Sequence, residues 1–207
     1  MKSSKQGHTL TTPLSISIAK IDGFTTLLQS GIKLPAASGI SLGVFINSLP
    51  GFDIDYVADT IQTIFLDGNA IDDLEQPLTK HDHVLALSAA MPGLAGAIFR
   101  RNSLCAALRT RSENLGTAKK SNNELFVLLK LFNSIAQEKG EELLRSGGIF
   151  SGKTLLSFFD QRPSLFDAII SLNFNGKTQM PTDLFSCVSE ENQYFLKLTT
   201  AKQQEAQ

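Results

Sequence analysis

From Gln62 to Gly93 the chain reads QTIFLDGNAIDDLEQPLTKHDHVLALSAAMPG, and no other stretch limits its possible folds as much. Thr63, Ile64, Phe65 and Leu66 are β-branched, aromatic or aliphatic. They run directly into Asp67-Gly68, a dipeptide that tolerates the positive φ values of a two-residue hairpin turn. A strand is therefore expected to reverse at residue 67, with Ile71 on the return. The polar run from Asp72 to Glu75, followed by Pro77, stops that return, because proline cannot donate to a ladder. Val84, Leu85, Ala86 and Leu87 make the next strand, short and almost uninterrupted, as suits the middle of a sheet or burial on both faces.

The remaining segments are weaker but patterned. Residues 1–12 are polar and small and are expected to be a disordered tail. Leu14, Ile16 and Ile18 alternate with small residues, which predicts a half-buried strand, and Phe24–Ser30 suits one or two helical turns. After a break over Pro35–Gly39, Ile40, Leu42, Val44 and Ile46 again alternate, predicting a second strand before Pro50-Gly51. Asp53 is placed to cap a short helix through Tyr56, Val57 and Ile61.

Residues 94–111 suit either a hairpin about Arg101-Asn102-Ser103 or, from their alanines, a helix; the hairpin is the expectation. Residues 112–121 have linker composition. Leu125, Leu128, Leu129, Phe132 and Ile135 then recur at spacings of three and four, which predicts a long amphipathic helix ending at Gly147. A strand over Ala168–Phe174, a turn at Asn175-Gly176, a last strand at Tyr194–Leu198 and a frayed AKQQEAQ end follow. SLNFNGKT followed by YFLKLT echoes TIFLDGNA followed by VLALSA, which points to two related halves.

In its order of hairpin, helix, strand, polar crossover and strand, the first half resembles the β-grasp (ubiquitin-like) proteins. Over about residues 40–93 it is similar to the bacterial sulfur carriers, the small subunit of molybdopterin synthase and the thiamine-biosynthesis carrier. Leu66-Asp67-Gly68 and Leu78-Thr79-Lys80-His81-Asp82 carry the likeness, with His81 where those carriers usually have glycine. The resemblance implies a β-grasp-like mixed sheet with a helix in the part spanning 13–111; with the linker over 112–121 and the long helix and smaller C-terminal α+β part over 122–207 read from the residues, the expected class is α+β. It does not extend to carrier chemistry. That chemistry needs a free C-terminal Gly-Gly, whereas Ala90-Met91-Pro92-Gly93 stands in its place and the chain continues. Fold analogy alone does not license function.

Three groups of residues could carry chemistry. Gly147–Thr154 (GGIFSGKT) satisfies the spacing of a phosphate-cradling loop, with Gly147, Gly152, Lys153 and Thr154 in the key places, but the preceding EKGEELLRSG reads as a helix end rather than a buried strand. A helix stop followed by a new helix start is the expectation there. His81 and His83, one residue apart, could begin a metal site, but no third ligand stands near, and a solvated turn is expected. No G-x-S-x-G elbow is present, so a hydrolase triad has little support. Arg100, Arg101, Arg109 and Arg111 suit bidentate recognition of carboxylate or phosphate, and with Pro92 and Gly93 they are the candidate site for an anion or a partner.

Charge sharpens the last point. A net charge of −1 and 19% charged residues give no global reason to expect nucleic acid. Yet Asp53, Asp55, Asp59, Asp67, Asp72, Asp73, Glu75 and Asp82 face only Lys80 within their stretch, while Arg100, Arg101, Arg109, Arg111, Lys119 and Lys120 face only Glu113. Such patches are solvated faces, or a surface that complements itself or docks an anion. Cys105 and Cys187 are too few for a disulfide framework and are expected as free, buried thiols. With no apolar run near the roughly 18 residues of a membrane span, the expectation is a cytoplasmic, non-enzymatic interaction or scaffold protein without cofactors. Its partner would be another protein or a second copy, or else a small anionic ligand; a nucleotide-binding enzyme using 147–154 is the alternative.

Overall fold

The computed structural model describes residues 11–109 and 125–200. In chain order the strands are β1 (Thr12–Ile18), β2 (Ile32–Ala36), β3 (Thr63–Leu66), β4 (Asn69–Ala70), β5 (Asp82–Ser88), β6 (Leu125–Phe132), β7 (Gly148–Ser151), β8 (Ile169–Phe174), β9 (Lys177–Gln179) and β10 (Gln193–Thr200). The α-helices are α1 (Leu42–Asn47), α2 (Ile54–Asp59), α3 (Gly93–Phe99), α4 (Asn133–Ser146), α5 (Gly152–Asp160), α6 (Pro163–Phe166) and α7 (Leu184–Cys187). Three 3-10 turns lie at Phe24–Gln29, Leu104–Leu108 and Pro181–Asp183. The class is mixed α+β.

The chain divides into two compact units. One takes its described residues from the N-terminal stretch up to Ile21 and from Gly147 onward; the other is Asp22–Ser146. This partition differs from the expected one: β1 leaves the first half to join the C-terminal strands, and the helix preceding Gly147 belongs with the residues before it. The expected linker at 112–121, Arg111, residues 1–10 of the disordered tail expected over 1–12, and the expected frayed end at 201–207 lie outside the described residues; Thr12 is corrected from tail to the first residue of β1.

In the Asp22–Ser146 unit the strand order is β4-β3-β5-β6-β2. The hairpin β3–β4 and the pair β3–β5 are antiparallel, β5–β6 is parallel with His83 opposite Val127, and β6–β2 is antiparallel with Ile32 opposite Leu129. The hairpin forms where the sequence places it: Asp67 and Gly68 have φ of 51° and 83°, the values its two-residue turn requires. Beyond it, Ile71 donates its N–H to Ile64. β5 is central in the unit's sheet, yet Val84 is 42% exposed, so it is not buried on both faces. α2 is capped as expected, with Asp53 Oδ1 accepting the Tyr56 N–H at 2.7 Å.

Three expected elements are corrected in this unit. The strand over 40–46 is instead helix α1: Ser41 Oγ accepts the Val44 N–H, and the orphan N–H groups of Leu42 and Gly43 donate to carbonyls of Gln76 and Leu74 in the crossover. Leu42, Phe45 and Ile46 are buried while Val44 is 57% exposed, a helical set that shares Leu42 and Ile46 with the alternate run and adds Phe45. The neighbouring strand lies earlier, at β2, and runs through Pro35. The hairpin over 94–111 is instead α3 followed by the Leu104–Leu108 turn, separated by Asn102 at φ 54°.

The long helix begins only at Asn133, because LFVLLKLF is β6. Apolar side chains occupy almost every position of that segment and satisfy either period. Ladder bonds to β5 and β2 select the strand, burying Leu125, Val127, Leu129 and Leu131 on one face. Asn133, at φ 54°, turns the chain into α4, whose Gly140 packs against Thr25 and Leu28 of the first 3-10 turn.

In the other unit the order is β7-β10-β1-β8-β9. The β8–β9 hairpin and the pair β8–β1 are antiparallel, β1–β10 is parallel with Leu14 opposite Leu196, and β10–β7 is antiparallel. From the hairpin inward, this is the same series of senses as in the first sheet. The β8–β9 turn, Asn175-Gly176, repeats the φ values of Asp67-Gly68 at 51° and 81°. Leu27-Leu28-Gln29-Ser30-Gly31 and Leu143-Leu144-Arg145-Ser146-Gly147 end corresponding helical segments on left-handed glycines, at φ 107° and 89°. The sheets differ in connection. β5 follows its hairpin directly and lies beside it, whereas β10 lies one strand further in and β1 takes the place beside the hairpin.

Gly68→Val and Gly176→Val are each expected to lower unfolding stability by about 1–2 kcal/mol, because the space around them is open and only the left-handed backbone opposes a side chain. Gly152→Ala is expected to cost more. Its Cβ would overlap the carbonyl oxygen of Ser189, so backbone must move. Urea midpoints ranking Gly152→Ala with the parent would contradict this packing.

Candidate functional site

At the hairpin tip the Asp67 carboxylate gathers the polar groups of the crossover. Oδ1 accepts the Val84 N–H at 2.9 Å, and Oδ2 accepts from Lys80 Nζ at 2.8 Å and from His83 Nδ1 at 2.9 Å. His83 Nε2 accepts the backbone N–H groups of both Thr79 and Lys80 at 3.0 Å. Two donors at Nε2 leave the ring hydrogen on Nδ1, aimed at Asp67. An Asp–His pair elsewhere can serve a nucleophile, but here the second nitrogen is already occupied. The same occupancy leaves His83 no lone pair for a metal. The expected solvated turn is corrected at this residue, since His83 is 3% exposed. His81 is largely exposed and pairs with Asp82, which also meets Lys33 at 2.9 Å.

Burial of Asp67 acts to raise its carboxyl pKa, but hydrogen bonds from Lys80, Val84 N–H and His83 outweigh it and hold it below the usual carboxylate range. Asp72 is lowered in the same way: burial opposes, while Arg109 and the Asn102 N–H prevail. His81 and Lys33 hold Asp82 low.

The arginine segment folds over the outer face of β3. Phe65 meets Phe99 of α3 with ring centroids 5.2 Å apart, and Gly96 approaches the Met91 carbonyl so closely that no Cβ fits. Arg109 is fully engaged, with Nη1 on Asp72 Oδ2 at 2.6 Å and its other nitrogens on the carbonyls of Ile98 and Arg100. Arg101 Nη1 caps the end of α2 through the carbonyls of Val57 and Ile61, and burial pushes its guanidinium pKa down. Arg100 differs. Its guanidinium makes no ion pair among the described residues, and it lies at the rim of a recess lined also by Gln62 and Thr63. Pro92 and Gly93 are exposed at the start of α3.

The candidate arginines thus come together, two as structural ties and one outward-facing. The acidic and basic stretches meet within the chain at Asp72–Arg109. Gln62 and Thr63 have no motif signal, because nothing local marks a polar pair that only α3 covers.

The phosphate-loop spacing takes a different form. Gly148–Ser151 is ladder strand against β10, so the residues between the two key glycines make no loop. Gly152 opens α5, Ser151 Oγ accepts the Thr154 N–H at 3.1 Å, and Lys153 is exposed. A strand therefore separates the expected helix stop and helix start. Cys105 and Cys187 are free and half-buried rather than buried. No group of three or more metal-ligating side chains occurs among the described residues, nor is any helix there long and apolar enough to cross a membrane.

Against protein-family models, curated proteins and solved structures, the chain finds no match.

Asp67→Asn places an amide donor against Lys80 and His83 and is expected to cost about 1–3 kcal/mol in chemical denaturation. Because Asp67, Asp72 and Asp82 have folded-state pKa values below their unfolded ones, the folded chain binds fewer protons than the unfolded chain in that window. Their stabilisation is complete above the unfolded value of about 3.9 and is lost as pH falls through the lower folded values. Asp67→Asn should flatten that acid loss; an unchanged profile would remove Asp67 from it. For the loop-like segment, calorimetry with ATP or GTP and magnesium is expected to show no binding, and Lys153→Ala to melt with the parent.

Proposed function

We propose that this chain is a non-enzymatic protein of two β-grasp-like modules that acts through protein contacts, with the Gly93–Arg109 segment as its contact face and a second copy as the partner. The observation that carries the reading is the exposure of Leu94, Leu104 and Leu108 at 72%, 102% and 67%, beside Arg100, which makes no ion pair among the described residues. Exposed apolar side chains grouped beside an arginine suit a contact surface, because such patches mark interaction sites and arginine is enriched at interfaces. The same unit exposes Asp53, Asp55, Asp59, Asp73 and Glu75, so it offers both signs of charge to a copy of itself. The engagement of both His83 nitrogens and of Arg109 favours binding over catalysis.

The β-grasp reading draws on α2, the β3–β4 hairpin, the Ile71–His81 crossover and β5, in the order the resemblance implies. It departs at the first hairpin, because β2 pairs with β6 rather than with a strand next to it in sequence. The common series of strand senses, the matching turns and the two Leu-Leu-x-Ser-Gly helix ends support an origin of the two units from one duplicated module.

Sedimentation across protein concentration is the test. The parent is expected to self-associate, more weakly as salt rises because exposed charges are screened beyond about 8 Å at physiological ionic strength. Leu104→Asp with Leu108→Asp should be monomeric and equally folded by circular dichroism. A parent that stays monomeric at every concentration and salt would end the reading.

A further inference from the structure

His83 is held in a way that only its neutral ring permits. It lies on β5 with 3% of its surface exposed. Nε2 accepts the backbone N–H groups of Thr79 and Lys80, both at 3.0 Å, and Nδ1 donates to Asp67 Oδ2 at 2.9 Å. A neutral imidazole has one donor and one acceptor nitrogen, and both are used here. A protonated ring has two donors and no acceptor. A second proton, on Nε2, would therefore face two N–H groups, while the Nδ1 side would gain from a charged pair with the carboxylate.

The charged groups around the ring lie on the Nδ1 side or are engaged elsewhere. Lys80 Nζ shares Asp67 Oδ2, and Asp67, held below the ordinary carboxylate range, stays ionised down to about pH 5. Asp82, with His81 and Lys33, is at the next strand position and so on the other face of the sheet. Opposite His83 on β6 is Val127, followed on β2 by Leu34, and α1 has no titratable side chain. In the crossover Asp72 is taken by Arg109, Asp73 accepts the Glu75 N–H, and Glu75 is exposed. On α4, Glu138 and Lys139 meet Tyr56, Glu141 meets Arg145 and Glu142 lies by Gly51.

The backbone on either side of Thr79–Lys80 is tied independently of the ring. Leu78 exchanges bonds with Ile40 and Gly39, Pro77 bridges to Ser41, and the His81 carbonyl accepts the Phe126 N–H. Only the N–H groups of Thr79 and Lys80 depend on Nε2.

We propose that His83 is a proton-operated latch: a second ring proton releases the Thr79–Lys80 backbone while the ring stays on Asp67. The latched form binds one proton fewer than the released form, so acid favours release and higher pH favours closure. The latch lies within one unit and does not depend on self-association or on the β-grasp reading.

The chain has three histidines, so the full chain carrying His8→Asn and His81→Asn leaves one imidazole to follow. Nitrogen NMR of that ring, with amide exchange corrected for intrinsic rates, is recorded from about pH 7.5 to about pH 5, across the ordinary imidazole value of about 6.5. At the upper end the single ring proton is expected on Nδ1. As the ring takes its second proton, the Thr79 and Lys80 amides should lose about tenfold or more of their protection with the same midpoint. Val84 and Ile71 amides should keep theirs, and the parent chain should show the same loss at Thr79 and Lys80. The proposal is overturned by a ring proton on Nε2 or unprotected Thr79 and Lys80 amides at the upper end. It is overturned equally by a ring that titrates while that protection persists, or by a ring that stays neutral until the whole chain unfolds. Loss of protection at Val84 together with Thr79 and Lys80, or a loss in the parent that the variant lacks, would overturn it as well.

Discussion

The carboxylate of Asp67 holds together parts of the chain that local propensity would leave independent. A left-handed turn at Asp67-Gly68 is cheap for this dipeptide, but the turn alone fixes only β3 against the two residues of β4. Asp67 also accepts the N–H of Val84 in β5 and anchors Lys80 from the crossover and His83 from β5. His83 in turn holds the crossover backbone at Thr79 and Lys80. One carboxylate therefore sets where β5 begins, and so the β5–β3 and β5–β6 registers on which the unit's sheet is built. A slip of one residue would turn Leu85 and Leu87 out of the core.

This use of charge accounts for how the side chains with catalytic associations are engaged in this fold. Imidazole, guanidinium and carboxylate groups become reactive when a lone pair or a proton is left over after folding. At Asp67, His83, Asp72 and Arg109 little is left over, because backbone groups of the irregular segments have claimed those atoms. The exceptions are informative: among the described residues Arg100 makes no ion pair, and the buried Thr63 Oγ1, Gln62 Oε1, Arg101 Nε and Ser17 Oγ have no hydrogen-bond partner. Binding capacity is better sought where polar groups are unsatisfied than where they are numerous.

The two units reach one series of strand senses by different connections. In each, a parallel pair forms the middle of the sheet, and parallel neighbours need a long crossover. β5 is connected to β6 through α3 and the Leu104–Leu108 turn, and β1 to β10 through the whole Asp22–Ser146 unit and then β7, β8 and β9. Sequence separation between paired strands is large as a result, which favours slow folding through long-range contacts.

The sequence by itself determined the features whose physics is local. Asp67-Gly68 and Asn175-Gly176 turn because those dipeptides accept positive φ, Asp53 caps because its oxygen reaches the Tyr56 N–H, and Gly147 stops a helix. The arginine cluster was legible as charge, and the echo between halves as matching turns; Leu-Leu-x-Ser-Gly was a further sign in plain view. Tertiary structure decided the rest. LFVLLKLF and the residues from Ile40 to Ile46 carry apolar positions that satisfy both a helical and a strand period. Their outcome depended on whether a neighbour offered ladder partners, as β5 and β2 do for β6, or received helix N–H groups, as Leu74 and Gln76 do for α1. Thr63 and Gln62 keep buried side-chain oxygens without partners only because α3 closes over them with glycine and alanine, and an unpartnered buried polar atom is a property of packing and not of any local residue pattern.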